Sequence, residues 1–173
     1  MRLLALSFGF VMLLVVCGLV YLYLSGTPPK ERKLIAQFYQ HRTDYEHLRE
    51  MFQADKQTIS VAEWGVDTTT SSVTGSIPPD GDFPVARYNE YLVLLKKVNA
   101  RSIFHPARLS SPDFKIDVWG SGFGGDTRHI EICWLEHEPA NQVASLDNYY
   151  KTPKPRDPVF RHIEGNWYLW ADW

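Results

Sequence analysis

The chain has 173 residues and a formal net charge of −2, so it lacks the basic surplus that drives nucleic-acid binding. Its content of 45% hydrophobic and 14% aromatic residues excludes a largely disordered chain and predicts a packed core. One of the two cysteines, Cys17, lies in an apolar N-terminal run, which leaves Cys133 with no intrachain disulfide partner in the remaining sequence.

The first element in chain order is the apolar run over residues 3–24, which contains no charged side chain. Since about 20 helical residues cross the hydrocarbon of a bilayer, this run predicts a transmembrane helix. The alternatives are a cleaved signal peptide, whose apolar core is shorter, and a lipoprotein signal, for which Val16 before Cys17 is unfavourable. We therefore expect residues 1–25 to form the anchor of a single-pass membrane protein of the signal-anchor type.

Charges beside the run bear on the side of the membrane. Lys30, Arg32 and Lys33 follow it and only Arg2 precedes it, which by itself favours a cytoplasmic domain. A single N-terminal span with a very short preceding tail is nevertheless typical of a signal-anchor that exports the chain after it. We expect the domain to be extracytoplasmic.

The next segment, 26–55, is predicted as a juxtamembrane amphipathic helix that belongs to the domain, with the helix itself over 29–54. Its apolar residues recur with a period close to 3.6, at Leu34, Ile35, Phe38, Tyr45, Leu48 and Phe52. Residues 56–173 are the α+β remainder of the same domain.

Within that remainder, the pattern predicts a strand over 57–64, a polar loop over 67–82 with a short edge strand near 72–75, and a second helix from Asp82 to Asn99. The following strands are predicted over 102–105, 114–119, 127–135, 159–163 and 167–171. Gly165-Asn166 is a two-residue turn signal between the last two. The predicted fold class is α+β: an N-terminal transmembrane helix, then one domain with two helices packed on an antiparallel sheet of about five strands.

A glycine-rich segment, 120–125, matches the spacing G-x-G-x-x-G of dinucleotide-binding loops. That motif requires a helix after the loop, because the helix N-terminus meets the pyrophosphate. Here Ile130, Ile132 and Trp134 alternate with polar residues, which indicates a strand. The segment is therefore predicted to join a hairpin, and no cofactor is expected.

Three residues in this predicted strand or just after it are candidate metal ligands: His129, Glu131 and His137. Residues at i and i+2 of a strand share one face and can share a metal ion. The simpler interpretation is a solvated polar face, and no established metal motif supports the metal site.

The closing segment carries the densest group of aromatic residues. Trp167 and Leu169 are expected to face the core, which places Tyr168 and Trp170 on the opposite face as candidate binding residues. The competing interpretation is that another segment covers this face.

These observations do not define a biochemical activity. The leading hypothesis is a non-enzymatic, membrane-anchored domain that binds a protein partner or a small ligand on its sheet, through Tyr168 and Trp170. The alternative is a membrane-tethered hydrolase that uses His129, Glu131 and His137. Expected partners are the membrane, through residues 3–24, and a protein or small ligand, but no nucleic acid.

Overall fold

The structure is a computed structural model. It describes residues 12, 14–16, 26–69, 72–74, 83–106, 113–123, 126–151 and 157–172. The helices of the domain are α1 (Glu31–Gln40), α2 (Arg42–Ala54) and α3 (Val85–Lys97). The strands are β1 (Thr58–Ala62), β2 (Gly65–Thr68), β3 (Ser72–Thr74), β4 (Ser102–Phe104), β5 (Phe114–Phe123), β6 (Asp126–Trp134), β7 (Val159–Glu164) and β8 (Trp167–Asp172). A 3-10 helix, Tyr149–Lys151, lies between β6 and β7.

The eight described strands form one sheet in the order β3-β2-β1-β4-β5-β6-β8-β7. Every neighbouring pair is antiparallel, and the β5–β6 hairpin lies near the centre. The free edge of β7 is partly covered, because the Val143 N–H donates to the Phe160 carbonyl at 2.8 Å and the Phe160 N–H donates to Asn141 at 2.9 Å. These bonds satisfy backbone groups that an edge strand otherwise exposes.

The hydrophobic core lies between the helices and one face of the sheet. Aromatic rings connect the two layers: Phe38 of α1 lies 5.4 Å from Trp167 of β8, and Phe52 of α2 lies 5.9 Å from Phe114 of β5, between ring centroids. Burial of such large rings is a main source of folding free energy. The fully buried core side chains include Phe38, Tyr45, Leu48, Phe52, Tyr91, Ile103, Phe114, Ile116, Ile132 and Leu169.

The predicted sheet of about five strands is wrong, because the described residues form eight. The strand that the sequence pattern missed is β2, which has a single large apolar residue, Val66, and lies partly in the predicted loop. It forms because it pairs with β1, and the Ser60 hydroxyl donates to the Asp67 carboxylate at 2.9 Å. Cross-strand pairing thus stabilises a segment that shows no alternating pattern of its own.

The predicted pair of helices is also corrected. The single helix expected over 29–54 is two helices, α1 and α2, that meet at His41. The backbone of His41 leaves the helical region, with φ −114° and ψ 23°. The apolar period continues across this residue, from Phe38 to Tyr45, so periodicity could not indicate the break.

A β-bulge in β5 changes which residues face the core. Asp117 pairs with Glu131 but Trp119 pairs with Ile130, so Val118 is the extra residue of the bulge. Regular alternation along β5 would place Trp119 on the face of Asp117, whereas the bulge turns it towards the core. Gly120 then pairs with His129 on the opposite face.

The predicted N-terminal anchor is not supported. In the part of the chain that the structure describes, no helix combines the length and the apolar character needed to cross a membrane. Of the predicted span, 3–24, only residues 12 and 14–16 are described; they are helical with exposed side chains, and the others lie outside the described residues. The transmembrane helix, the signal-anchor, the single-pass membrane class and the extracytoplasmic location predicted from it are therefore corrected by this finding.

Candidate functional site

The sheet face opposite the helices, here called the back face, contains most of the residues for which a functional role was predicted. Strand pairing arranges them in two neighbouring rows. These rows are Ser102, Asp117, Glu131, Trp170 and Phe160, and beside them Phe104, Lys115, Cys133, Tyr168 and His162. As expected from the alternation, Trp167 and Leu169 lie in the core on the other face.

A buried ion pair occupies the centre of the back face. Lys115 Nζ lies 2.9 Å from Glu131 Oε2, and their side chains are only 11% and 6% exposed. Lys115 Nζ also lies 3.0 Å from the centroid of the Trp170 ring, which is a cation–π contact. Glu131 Oε2 has no well-aligned hydrogen bond among the described residues, so the attraction to Lys115 is mainly ionic.

Burial changes the titration of this carboxyl group. Desolvation raises the pKa of Glu131 to about 7, and the positive charge of Lys115 offsets only part of that effect. The negative charges of Asp117 and Asp172 raise the same pKa further. A carboxyl group that changes protonation near neutral pH is frequent in functional sites, although buried structural ion pairs also produce it.

A second ion pair flanks the first. Arg101 Nη2 lies 2.6 Å from Asp117 Oδ2 and 2.8 Å from its Oδ1. The guanidinium reaches this carboxylate by passing over Gly120, where a side-chain carbon would collide with Arg101 Nη2 and would lie 3.2 Å from His129 Nδ1. A side chain at position 120 would therefore displace the Arg101 guanidinium from this position. Residues 120–123 of the glycine-rich segment belong to β5. Gly124 and Gly125 lie outside the described residues.

The two predicted binding residues differ in accessibility. Tyr168 is only 5% exposed, and its ring lies 5.2 Å from the His162 ring and 6.4 Å from the Phe160 ring, between centroids. Trp170 is partly exposed. A partner on the back face could therefore touch Trp170, but contact with Tyr168 would require displacement of what covers it.

The three predicted metal ligands are placed in different environments. Glu131 is buried in its ion pair, His129 is partly buried beside Gly120, and the His137 side chain is 91% exposed beyond the end of β6. Among the described residues, no group of three histidine, cysteine, aspartate or glutamate side chains is placed to hold a metal ion. The solvated face predicted for β6 also differs from the structure, since Glu131 and Cys133 are buried.

The remaining back-face candidate for chemistry is the Cys133 thiol. Cys133 is fully buried, and its Sγ lies 3.5 Å from the Tyr168 carbonyl oxygen. Burial raises the pKa of the Cys133 thiol far above its ordinary value. Since the thiolate is the reactive form, this cysteine is inert in the folded protein.

A cavity of about 460 Å³ lies on the other side of the sheet, at the start of α1. We call it the α1 pocket. Its inner wall is apolar, formed by Leu34 of α1, Ile130 of β6 and Leu146, all of them buried. Its remaining lining residues are Thr27, Pro28, Pro29, Lys30, Glu31, Arg128, Asp147 and Lys151.

Two reciprocal hydrogen bonds build one wall of the α1 pocket. The Glu31 N–H donates to Asp147 Oδ1 at 2.9 Å, and the Leu146 N–H donates to Glu31 Oε2 at 2.6 Å. Arg161 of β7 adds an ion pair, with Nε 3.4 Å from Glu31 Oε1. The start of α1 is thus tied to a segment about 115 residues later in the chain.

Sequence reasoning missed the α1 pocket. Its lining comes from the entry to α1, from β6, and from the segment around Leu146, and no local motif connects these stretches. The one usable signal was the acidic residue Glu31 in the first helical turn, which is favourable beside the positive end of the helix dipole. That signal does not indicate its distant partner.

Comparison of the chain with protein-family models, with curated proteins and with solved structures finds no match.

Proposed function

We propose that this protein is a non-enzymatic binding domain that holds a small molecule in the α1 pocket. The observation that carries the proposal is the cavity of about 460 Å³ with an inner wall of Leu34, Ile130 and Leu146. Small-molecule sites are clefts of about 300–1,000 Å³ with a mostly apolar lining and a few polar groups at defined positions. The α1 pocket has this size, and it combines an apolar inner wall with charged groups at its rim.

The lining favours binding over catalysis. Its two carboxylates, Glu31 and Asp147, accept hydrogen bonds from backbone N–H groups and hold the wall together. A general acid or base must instead direct its oxygen at the substrate proton. The two acidic groups thus have a structural use that leaves them poorly placed for proton transfer.

The back face is a weaker basis for the same function. The binding role of Tyr168 and Trp170 stays a prediction, because Tyr168 is buried and the Trp170 ring already contacts Lys115. The hydrolase based on His129, Glu131 and His137 likewise stays a prediction. We base the proposal on the α1 pocket because the described residues leave a cavity there that has the volume of a small molecule.

The test is methyl NMR of the full-length protein with a set of small fragments that includes uncharged, anionic and cationic members of matched size. We expect at least one fragment to shift the methyl signals of Leu34, Ile130 and Leu146 together. The signals of Leu94 and Leu95, which lie in the core at α3, should stay in place.

A matched pair of variants locates the binding. Leu34→Phe fills part of the α1 pocket and should weaken the best fragment about fivefold or more. Leu94→Phe makes the same change at an equally buried helical leucine, 4% exposed like Leu34, and should leave affinity unchanged. Thermal unfolding establishes that both variants fold. Equal affinity in both variants, or no fragment that shifts the three methyl signals, would overturn the proposal.

A further inference from the structure

We infer that the ligand of the α1 pocket is a small amphipathic anion of the medium-chain carboxylate type, with its apolar body on the inner wall and its head at the rim. This inference rests on the proposed function and adds the chemical class of the ligand. Two features carry it: the two exposed lysines at the rim, Lys30 and Lys151, and the separation of polar and apolar lining.

Three cationic side chains line the α1 pocket, and they come from three different parts of the fold. Lys30 directly precedes α1, Arg128 lies on β6, and Lys151 ends the 3-10 helix. Arg128 makes an interaction of its own within the protein. The Lys30 and Lys151 side chains are exposed, and Lys151 Nζ donates to the uncharged Asn148 Oδ1 at 3.0 Å. Positive groups gathered from separate elements around one opening attract an anionic group towards it.

The acidic lining residues offset this charge only in part. The Asp147 carboxylate accepts from the Glu31 N–H, and the Glu31 carboxylate accepts from the Leu146 N–H and pairs with Arg161. Arg161 does not line the α1 pocket, and its positive charge compensates the Glu31 carboxylate. The two lysines at the rim thus outweigh the single charge of Asp147, which favours a negative head group.

The first N–H group of α1, that of Glu31, already donates to Asp147 and is not available to a ligand. The lysines at the rim and the apolar wall are therefore the groups that favour an amphipathic anion as the ligand.

The apolar wall determines the other half of the ligand. Leu34, Ile130 and Leu146 are buried yet line the cavity, and Pro28 and Pro29 add apolar surface beside them. A simple inorganic anion would leave this wall unused. A chain of several methylene groups would lie against it and leave water, which favours binding.

The test compares three probes that share one octyl chain: octanoate, octanol and octyltrimethylammonium. Titration of the full-length protein, followed by the methyl signals of Leu34, Ile130 and Leu146, gives three dissociation constants. We expect octanoate to bind about tenfold more tightly than octanol, and the cation to bind most weakly. The advantage of octanoate should shrink at high salt, because the rim is exposed.

Charge-removal variants then assign the effect to the rim. The double variant Lys30→Gln with Lys151→Gln should lower octanoate affinity about fivefold and leave octanol affinity unchanged. Lys33→Gln removes an exposed lysine of α1 that does not line the α1 pocket and should change neither affinity. All three lysines are exposed, so these variants should fold normally.

The two proposals fail in different ways. If octanol binds as tightly as octanoate, or if only uncharged or cationic fragments bind, the anion inference is overturned and the proposed function stands. If no fragment or octyl probe of any charge shifts the methyl signals at the α1 pocket, the proposed function itself is overturned, and the inference with it.

Discussion

At the residue scale, the central feature is a lysine and a glutamate that are both buried on one face of the sheet. Lys115 and Glu131 are 9% and 4% exposed as whole residues, and their charged atoms are 2.9 Å apart. Removing two charges from water costs more than an isolated pair of this kind returns, unless other contacts assist. The Trp170 ring beside Lys115 Nζ is such a contact.

The first prediction concerns this pair. Lys115→Met should destabilise the protein by about 3 kcal/mol at pH 8, because it leaves Glu131 buried without its positive partner. The double variant Lys115→Met with Glu131→Leu should recover most of that loss, since it removes both charges together. Urea unfolding of the two variants at pH 8 measures the difference. If the free energy of unfolding of Lys115→Met lies within about 0.5 kcal/mol of the wild-type value, which is the size of an ordinary surface substitution, the two residues are not coupled.

At the element scale, short turns decide how the strands pair. The β7–β8 hairpin turns at Gly165 and Asn166, as the two-residue signal predicted, and Gly165 adopts a left-handed conformation with φ 51°. Pairing at this turn places Glu164 opposite Trp167, whose indole N–H donates to Glu46 of α2 at 2.9 Å. The hairpin therefore also positions the contact between the sheet and α2.

The second prediction tests this turn. Gly165→Ala should destabilise the protein by about 1 kcal/mol, because a side chain disfavours left-handed backbone. No atom lies within 4 Å of the added carbon, so the cost is conformational rather than steric. Gly165→Asn is the control and should cost less, since asparagine tolerates this region. Thermal unfolding compares the two, and an alanine variant as stable as wild type would contradict the argument.

At the scale of the whole molecule, buried charge makes stability depend on pH. The pKa of Glu131 is raised from 4.5 to about 7 in the folded protein, so between these values the folded state binds more protons than the unfolded state. The contribution of Glu131 to the free energy of unfolding is therefore largest below pH 4.5, falls as the pH rises to 7, and is constant above it. The lowered pKa values of Asp44 and Glu46 act in the opposite direction at more acid pH.

The third prediction isolates this effect. Relative to wild type, Glu131→Gln should gain about 3 kcal/mol of stability as the pH rises from 5 to 8, because glutamine cannot lose a proton. Any constant cost of leaving Lys115 without its partner is present at both pH values and cancels from the comparison. Urea unfolding at several pH values measures the difference. A difference that does not change with pH would show that the carboxyl group titrates at the same pH in both states.

The sequence by itself determined the elements whose pattern is local. The alternation over 127–135, the turn at Gly165-Asn166 and the apolar period of the first helical stretch each predicted structure that is present, because neighbouring residues alone specify period and turn conformation. It also indicated that Trp167 and Leu169 face the core. The apolar run over 3–24 was a local pattern too, but the transmembrane helix inferred from it is not supported.

Only the tertiary structure decided the features that depend on distant residues. The strand β2 exists because β1 pairs with it, the bulge at Val118 reverses the face of Trp119, and the ion pair of Lys115 and Glu131 is buried on a face that alternation predicted to be solvated. The α1 pocket joins α1 to a segment about 115 residues away through two hydrogen bonds. A sequence pattern specifies which side of an element is apolar, whereas the free energy of packing decides which other element covers that side, and this selection produces both the buried pair and the pocket.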